Sequence, residues 1–406
     1  MQWFKNVLRF SIALFESPVY AGILSFIVYA IFAAQHGSIT GTSNFPYFNY
    51  LADAFIHGQL SLRLIPPIQH DLSFFNGKYY IYWPPFPAIL LMPIVALFGV
   101  RVSDVLFTLG IGALNVALVA YIFRLLNKRN LILLDADERG ILTIFFAFGT
   151  VHLFLSSNGN VWYTSQVVAF LFSIFTFLAA IRLKGYPAFF FTGLALACAT
   201  LTRSHLIFLG IGAAWYLFQS HKSVGWRKLF SYFIVAASPL LMGMLLQGMY
   251  NFFRFGNLFE YGVAYQNFGP FFESDYLKYG LLNLHYFIKD FYFNFIFYPF
   301  PLSNNTLMGG SLFLLSPLFF AAFWTFRSPA LRKQSIALWL SCITVAIPVL
   351  LNIGTGWSTF GPRYSLDFML PLLFLTALGS HTWPKWLKII LVAISIAQFG
   401  FGTFIL

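Results

Sequence analysis

Charge is what this sequence has least of. Only 9% of its 406 residues are Asp, Glu, Lys or Arg, where a soluble domain carries about 25%. Acids are the scarcer sign, 12 against 24 Lys and Arg, for a formal net charge of +12. A soluble fold of this length must wet its surface with polar groups, and these cannot cover a chain that is 59% hydrophobic and 21% aromatic. That excludes an ordinary cytosolic enzyme and a disordered chain. It also argues against a nucleic-acid binder, despite the basic balance. Cysteine is nearly absent: Cys198 and Cys342 both lie in apolar stretches and read as small core residues. No disulfide framework, metal-ligand spacing, fixed-period repeat or low-complexity linker is visible. What is present in excess, 53 Phe among long apolar runs, fits a polytopic membrane protein whose exterior is covered by lipid.

The composition predicts an all-α integral membrane protein, a single domain over 1–406. Apolar stretches fall at about 18–35, 104–124, 141–156, 162–182, 186–201, 205–219, 229–250, 308–326, 335–353, 366–380 and 388–405, which predicts about eleven transmembrane helices. The stretch 186–219 is too long for one span. As a single helix it would run about 51 Å at 1.5 Å per residue. Thr202-Arg203-Ser204-His205 breaks it, and an Arg at the bilayer centre costs about 2.5–3.5 kcal/mol, so the break is expected at a hairpin tip. Met1–Phe15 reads as an amphipathic lead-in to the first span, without a cleavage site. With a cytoplasmic N-terminus the inward segments hold 16 of the 24 Lys and Arg but four acids, Glu16, Asp135, Asp137 and Glu138. That bias is what the positive-inside rule expects. It requires 84–100, opening with Pro84-Pro85-Phe86-Pro87, to be re-entrant or interfacial rather than a full crossing. Two long loops, 36–103 and 251–307, are then external, as are the breaks 157–161, 202–205 and 354–365. The irregular sequence gathers on one face, so the active face is expected there.

The first of these loops carries the densest chemistry. In Tyr50-Leu51-Ala52-Asp53-Ala54-Phe55-Ile56-His57-Gly58 the apolar spacing predicts a short interfacial helix, with Asp53 and His57 four apart on one face. The pair reads either as a general base with its partner or as a solvated pair. Asn76-Gly77 predicts a tight turn between Asp71 and Lys78. Asp71 reads as a base, a metal ligand or a cap. External cations are sparse, and an ionisable group near membrane depth is a functional candidate. Arg203, Arg254 and Arg363 sit at span ends, where their planar forks suit phosphate oxygens or snorkel to headgroups. Asn76, Tyr79, Tyr80, Trp162, Tyr265 and Tyr364 read either as belt residues or as the lining of a sugar or polyprenyl groove.

The order of these pieces resembles a known family. Tyr50–Gly58, Asn76-Gly77-Lys78-Tyr79-Tyr80, Pro84-Pro85-Phe86-Pro87, Leu201-Thr202-Arg203, Arg254-Phe255-Gly256-Asn257 and Gly361-Pro362-Arg363-Tyr364 follow one another as in the C superfamily (GT-C) of membrane glycosyltransferases. The likeness is to bacterial relatives of the dolichyl-phosphate-mannose protein mannosyltransferases and the lipid A aminoarabinose transferases. The resemblance implies a plasma-membrane (bacterial inner-membrane) enzyme that moves a sugar from a polyprenyl-phosphate donor to a lipid, glycan or protein acceptor at the external face. It implies inversion, a loop-one carboxylate as base, and basic side chains on the leaving phosphate: here Asp71, or Asp53 with His57 as its partner, and Arg203, Arg254, Arg363 and Lys78. Some members use a divalent metal such as Mg or Mn. The sequence departs from the family where an Asp often follows the first span; that register holds Ser43-Asn44. No large C-terminal soluble module is expected. A transporter, a lipid flippase or a non-catalytic relative is the alternative.

Overall fold

The computed structural model describes residues 2–37 and 39–406. Its helices are α1 (Gln2–Glu16), α2 (Pro18–His36), α3 (Tyr47–Ile56), α4 (Phe86–Phe98), α5 (Asp104–Lys128), α6 (Ala136–Phe148), α7 (His152–Ser156), α8 (Val161–Arg182) and α9 (Gly185–Thr200). They continue as α10 (Gly210–His221), α11 (Trp226–Phe255), α12 (Pro270–Tyr279), α13 (Leu284–Phe291), α14 (Leu312–Leu315), α15 (Arg332–Leu350), α16 (Met369–Ser380) and α17 (Lys385–Ile405). Among the described residues six helical stretches are long and apolar enough to cross a membrane: α2, α5, α8, α11, Pro329–Leu350 and α17. The other five expected spans are helical but short or interrupted. α6 breaks before α7, and 3-10 turns (Ser204–Leu209, Pro317–Arg327, Arg363–Phe368) replace α-helix next to α10, α14 and α16. Helix length therefore establishes a multi-pass protein but not the number eleven.

Local chemistry accounts for the ends of these elements. The Ser103 hydroxyl accepts the Leu106 amide at 3.0 Å and caps α5. Asp135 and Glu138 form a reciprocal capping box at α6. Gly256 takes the left-handed conformation (φ 73°) that stops α11. α8 is the central post, apolar all round and buried along most of its length. α9 lies so close to α11 that a Cβ on Gly193 would sit 1.9 Å from the Ala236 carbonyl oxygen, the small-residue contact that lets membrane helices meet.

The first long loop is a packed unit. Tyr47, Phe48, Leu51, Leu72, Ile81, Trp83, Leu91 and Val95 form a second apolar cluster that joins α3, α4 and a hairpin. The hairpin qualifies the all-α expectation: β1 (Leu72–Phe75) pairs antiparallel with β2 (Lys78–Ile81), in register Leu72 with Ile81 and Phe75 with Lys78. Asn76 and Gly77 turn it with φ of 48° and 75°, as a two-residue hairpin turn requires. α4 has 13 residues, about 20 Å at 1.5 Å per residue, too short to cross. Its start is tied to the tip of the α9 hairpin, where the Phe86 amide donates to the Leu201 carbonyl at 3.2 Å.

The two faces separate cleanly. On the basic-connector face, Glu16 pairs with Arg124 and Arg139, Lys385 with Asp135 and Asp137, and buried Lys388 with Glu138, which locks α1, α5, α6 and α17 together. On the loop face, the first loop meets α8 (Val161 amide to Phe45 carbonyl, 3.1 Å) and the second long loop (Asn267 amide to Leu72 carbonyl, 2.8 Å).

Candidate functional site

Asp71 precedes β1 with φ 64°, a left-handed conformation that Asp tolerates better than most residues. The backbone there is pinned by its amide, which donates to the Asn267 carbonyl at 3.1 Å. Two donors hold the carboxylate: Trp162 Nε1 from the first turn of α8 at 3.1 Å and Gln266 Nε2 from the second loop at 2.8 Å. His70 Nε2 stands 3.5 Å from Oδ1. The side chain stays 15% exposed, enough to leave it reachable.

Hairpin register places Tyr82 across from Asp71, one step beyond the Leu72–Ile81 pair. Burial pushes the Tyr82 phenol well above the ordinary tyrosine range. Asp71 and Tyr364 add to that shift, while Arg363 and Arg203 oppose it. Ring contacts link the acid to the guanidiniums: Trp162, which holds Asp71, stands 6.1 Å from the Tyr163 ring, Arg363 lies over Tyr163 and Tyr364, and Arg203 lies 5.5 Å from the Tyr364 centroid.

The two arginines are held differently. Arg203 donates through Nε (3.1 Å) and Nη2 (2.9 Å) to Asp367 Oδ2, and His205 Nε2 lies 2.9 Å from the same oxygen. Asp367 is fully buried and its Oδ1 has no partner. Arg363 lies over the rings of Tyr364 and Tyr163, 5.0 and 5.9 Å from their centroids. Its carbonyl accepts from Gln166 Nε2 on α8 at 2.9 Å. Its Nε is sealed from solvent and unpartnered, and among the described residues no carboxylate lies within 4.0 Å of it. The loop before it folds onto the arginine stem because position 356 is glycine: with φ 97°, a Cβ there would meet Arg363 Cγ at 3.0 Å. An arginine without an acid, aimed between phenols, is a site that wants an anion.

Other expected residues are placed elsewhere. Asp53 is gripped by Arg63, Nε to Oδ2 at 3.0 Å and Nη2 to Oδ1 at 2.9 Å. His57 is half-exposed, 3.7 Å from that carboxylate, with Nδ1 2.7 Å from the Asp53 carbonyl. The pair is a latch between α3 and the following linker. Arg254 spends its N–H groups on the carbonyls of Ile81 (2.7 Å) and Tyr250 (3.2 Å) and on Asn251 Oδ1 (2.9 Å), between the rings of Tyr250 and Phe255. It caps the end of β2 and has little left for a phosphate. Asn76 and Lys78 are exposed at the hairpin turn, the end away from Asp71. Tyr79 donates to Gln69 Oε1 at 2.7 Å, Tyr80 packs on Phe255, and Tyr265 lies against Phe75 and Phe255. Of the expected residues, Asp71, Trp162, Arg203, Arg363 and Tyr364 come together.

Sequence reading missed Gln266, Gln166, Asp367 and His205 as parts of this site, and Arg63 as the partner of Asp53. The two-residue turn at 76–77 is what puts 71 opposite 82. Nothing local marks Gln266, which arrives from another loop. A metal fits poorly here. Among the described residues no three His, Cys, Asp or Glu side chains converge. Both Asp71 oxygens face N–H donors, which favour an anionic oxygen and repel a cation.

No protein-family model and no curated protein matches the chain. Its fold matches solved structures. The ArnT of Cupriavidus metallidurans in the apo state aligns with a TM-score of 0.54 at 12% identity, over 92% of this chain and 61% of that one. The same enzyme bound to undecaprenyl phosphate aligns at 0.51 and 14%, over 92% and 62%. An oligosaccharyltransferase of Archaeoglobus fulgidus aligns at 0.48 and 14%, over 95% and 55%. The chain spans about three fifths of the length of ArnT. At this identity the likeness is one of fold: the chain shares the overall fold of ArnT.

Proposed function

We propose that the protein is a membrane glycosyltransferase that takes a sugar from a polyprenyl-phosphate donor at its loop face. The observation that carries this is the run of contacts from Asp71 through Trp162 and Tyr163 to Arg363, and through Tyr364 to Arg203, with no carboxylate within 4.0 Å of Arg363 among the described residues. ArnT, whose fold is similar, has been crystallised with undecaprenyl phosphate, which suits an anionic lipid head at Arg363.

In this reading the acceptor hydroxyl gives its proton to Asp71 and its oxygen bonds to the anomeric carbon. The bond from that carbon to the phosphate oxygen breaks, and the electron pair leaves with the lipid phosphate. Trp162 and Gln266 fix the base, and Arg363 with Arg203 neutralises the departing charge. The displacement is single and inverting. No step in this reading is routed through a metal. The basic-connector bias turns the loop face outward.

The test uses purified protein, radiolabelled polyprenyl-phosphate sugars and crude lipid or glycan acceptors. Label transfer that disappears in Asp71→Asn is expected. Undiminished transfer by Asp71→Asn overturns the assignment of the base, and failure of the wild-type protein to bind undecaprenyl phosphate overturns the donor class.

A further inference from the structure

The short α4 leaves a consequence on the opposite side of the membrane. Its first residue, Phe86, rests its ring on Phe172, 5.0 Å between centroids, at the midpoint of α8. Directly below, a groove of about 530 Å³ runs between α5, α8 and α9. From Phe172 to Arg182 α8 advances ten residues, about 15 Å. Its walls are apolar, among them Phe175, Leu178, Phe191 and Leu194, and its foot is Tyr121 and Arg182.

That foot is basic and uncompensated. Arg182 donates to the Tyr121 hydroxyl, and Arg129 Nη2 donates to the Arg182 carbonyl at 3.0 Å. Lys128 and Lys184 adjoin them in sequence. The carboxylates of this face, Glu16, Asp135, Asp137 and Glu138, are all committed to Arg124, Arg139, Lys385 and Lys388. Among the described residues no acid lies within 4.0 Å of Arg182, Arg129, Lys128 or Lys184. A chain-sized apolar groove that ends in a guanidinium without a counter-ion matches an acyl chain carrying an acidic head.

We propose that this groove binds one anionic phospholipid from the leaflet opposite the loop face, its phosphate on Arg182 and an acyl chain beneath α4. An isoprenoid tail descending from the loop face would fill the apolar walls but leave Arg182 unexplained, so the charge favours the phospholipid.

Native mass spectrometry of the purified full chain tests this with phosphatidylglycerol, phosphatidylcholine, undecaprenyl phosphate and soluble glycerol phosphate as separate probes. One saturable equivalent of phosphatidylglycerol, preferred over phosphatidylcholine, is expected. Arg182→Glu should weaken it at least about five-fold, and Arg182→Lys should retain most of it. Leu194→Trp, which narrows the groove and keeps every charge, should weaken it too. A monodisperse elution profile for each variant separates lost binding from lost fold. Equal affinity for both phospholipids overturns the proposal, as does an Arg182→Glu variant that binds normally. Competition by glycerol phosphate alone overturns it by making the foot a free-phosphate site, and displacement by undecaprenyl phosphate overturns it in favour of the isoprenoid. None of these outcomes depends on glycosyl transfer.

Discussion

Replacing Arg363 by Met separates a ligand-binding arginine from a structural one, because the two roles predict opposite signs. In the free protein the guanidinium gains from two ring contacts, at 5.0 and 5.9 Å, about 0.5–1 kcal/mol each. Against this stands an Nε–H sealed from water and unpartnered, which costs about 1–3 kcal/mol. The two nearly cancel, so Arg363→Met should shift the stability of the free protein by no more than about 1 kcal/mol. Binding is different. A charged hydrogen bond to phosphate contributes about 1.5–3 kcal/mol, so affinity for undecaprenyl phosphate should fall roughly 10- to 150-fold. Thermal unfolding in detergent, with and without the lipid, reads both quantities. Wild type gains melting temperature with lipid and the variant loses that gain while keeping its own baseline. A variant that binds as wild type does, or whose baseline collapses, refutes the reading of Arg363 as an anion site.

Three further outcomes are expected. Asp71→Asn should lower transfer about 10²- to 10⁴-fold, the usual contribution of a general base, with undecaprenyl phosphate affinity unchanged; equal loss of both in a binding and turnover assay would make Asp71 a donor-site residue instead. Asp290 on α13 is fully buried with both carboxyl oxygens unpartnered, and burial pushes it up to about 8, with Lys289 opposing. Its folded value lies above its unfolded one, so the fold binds the extra proton, and stability should fall as pH rises from about 4 towards 8, by at most about 1.4 kcal/mol per pH unit from this group. Asp290→Asn should flatten that slope in pH-dependent melting curves, and an unchanged slope would show that the carboxyl is solvated. Lys388→Met should strand the buried Glu138 and cost about 3–5 kcal/mol of stability, recovered in large part by adding Glu138→Gln; additive losses in that double-mutant cycle would refute the pairing.

Much of the architecture was legible along the chain because lipid imposes a simple rule. A bilayer core demands long apolar helices and satisfied backbone, so the six long apolar helices, the break at Thr202–His205 and the shortness of the 84–100 helix follow from composition and length. Asn76-Gly77 announced its turn for an equally local reason, the positive φ both residues accept. The roles of individual ionisable residues were not local. Asp53 and Asp71 sit in the same loop with similar neighbours, and only folding gave one of them to Arg63 and the other to Trp162 and Gln266. Arg254 and Arg363 look alike at span ends, yet one spends its donors on two backbone carbonyls and Asn251 and the other keeps an N–H unpaired. Apolar periodicity encodes where a helix stops; whether a charge is spent or free depends on partners tens or hundreds of residues away, and only three-dimensional packing supplies them.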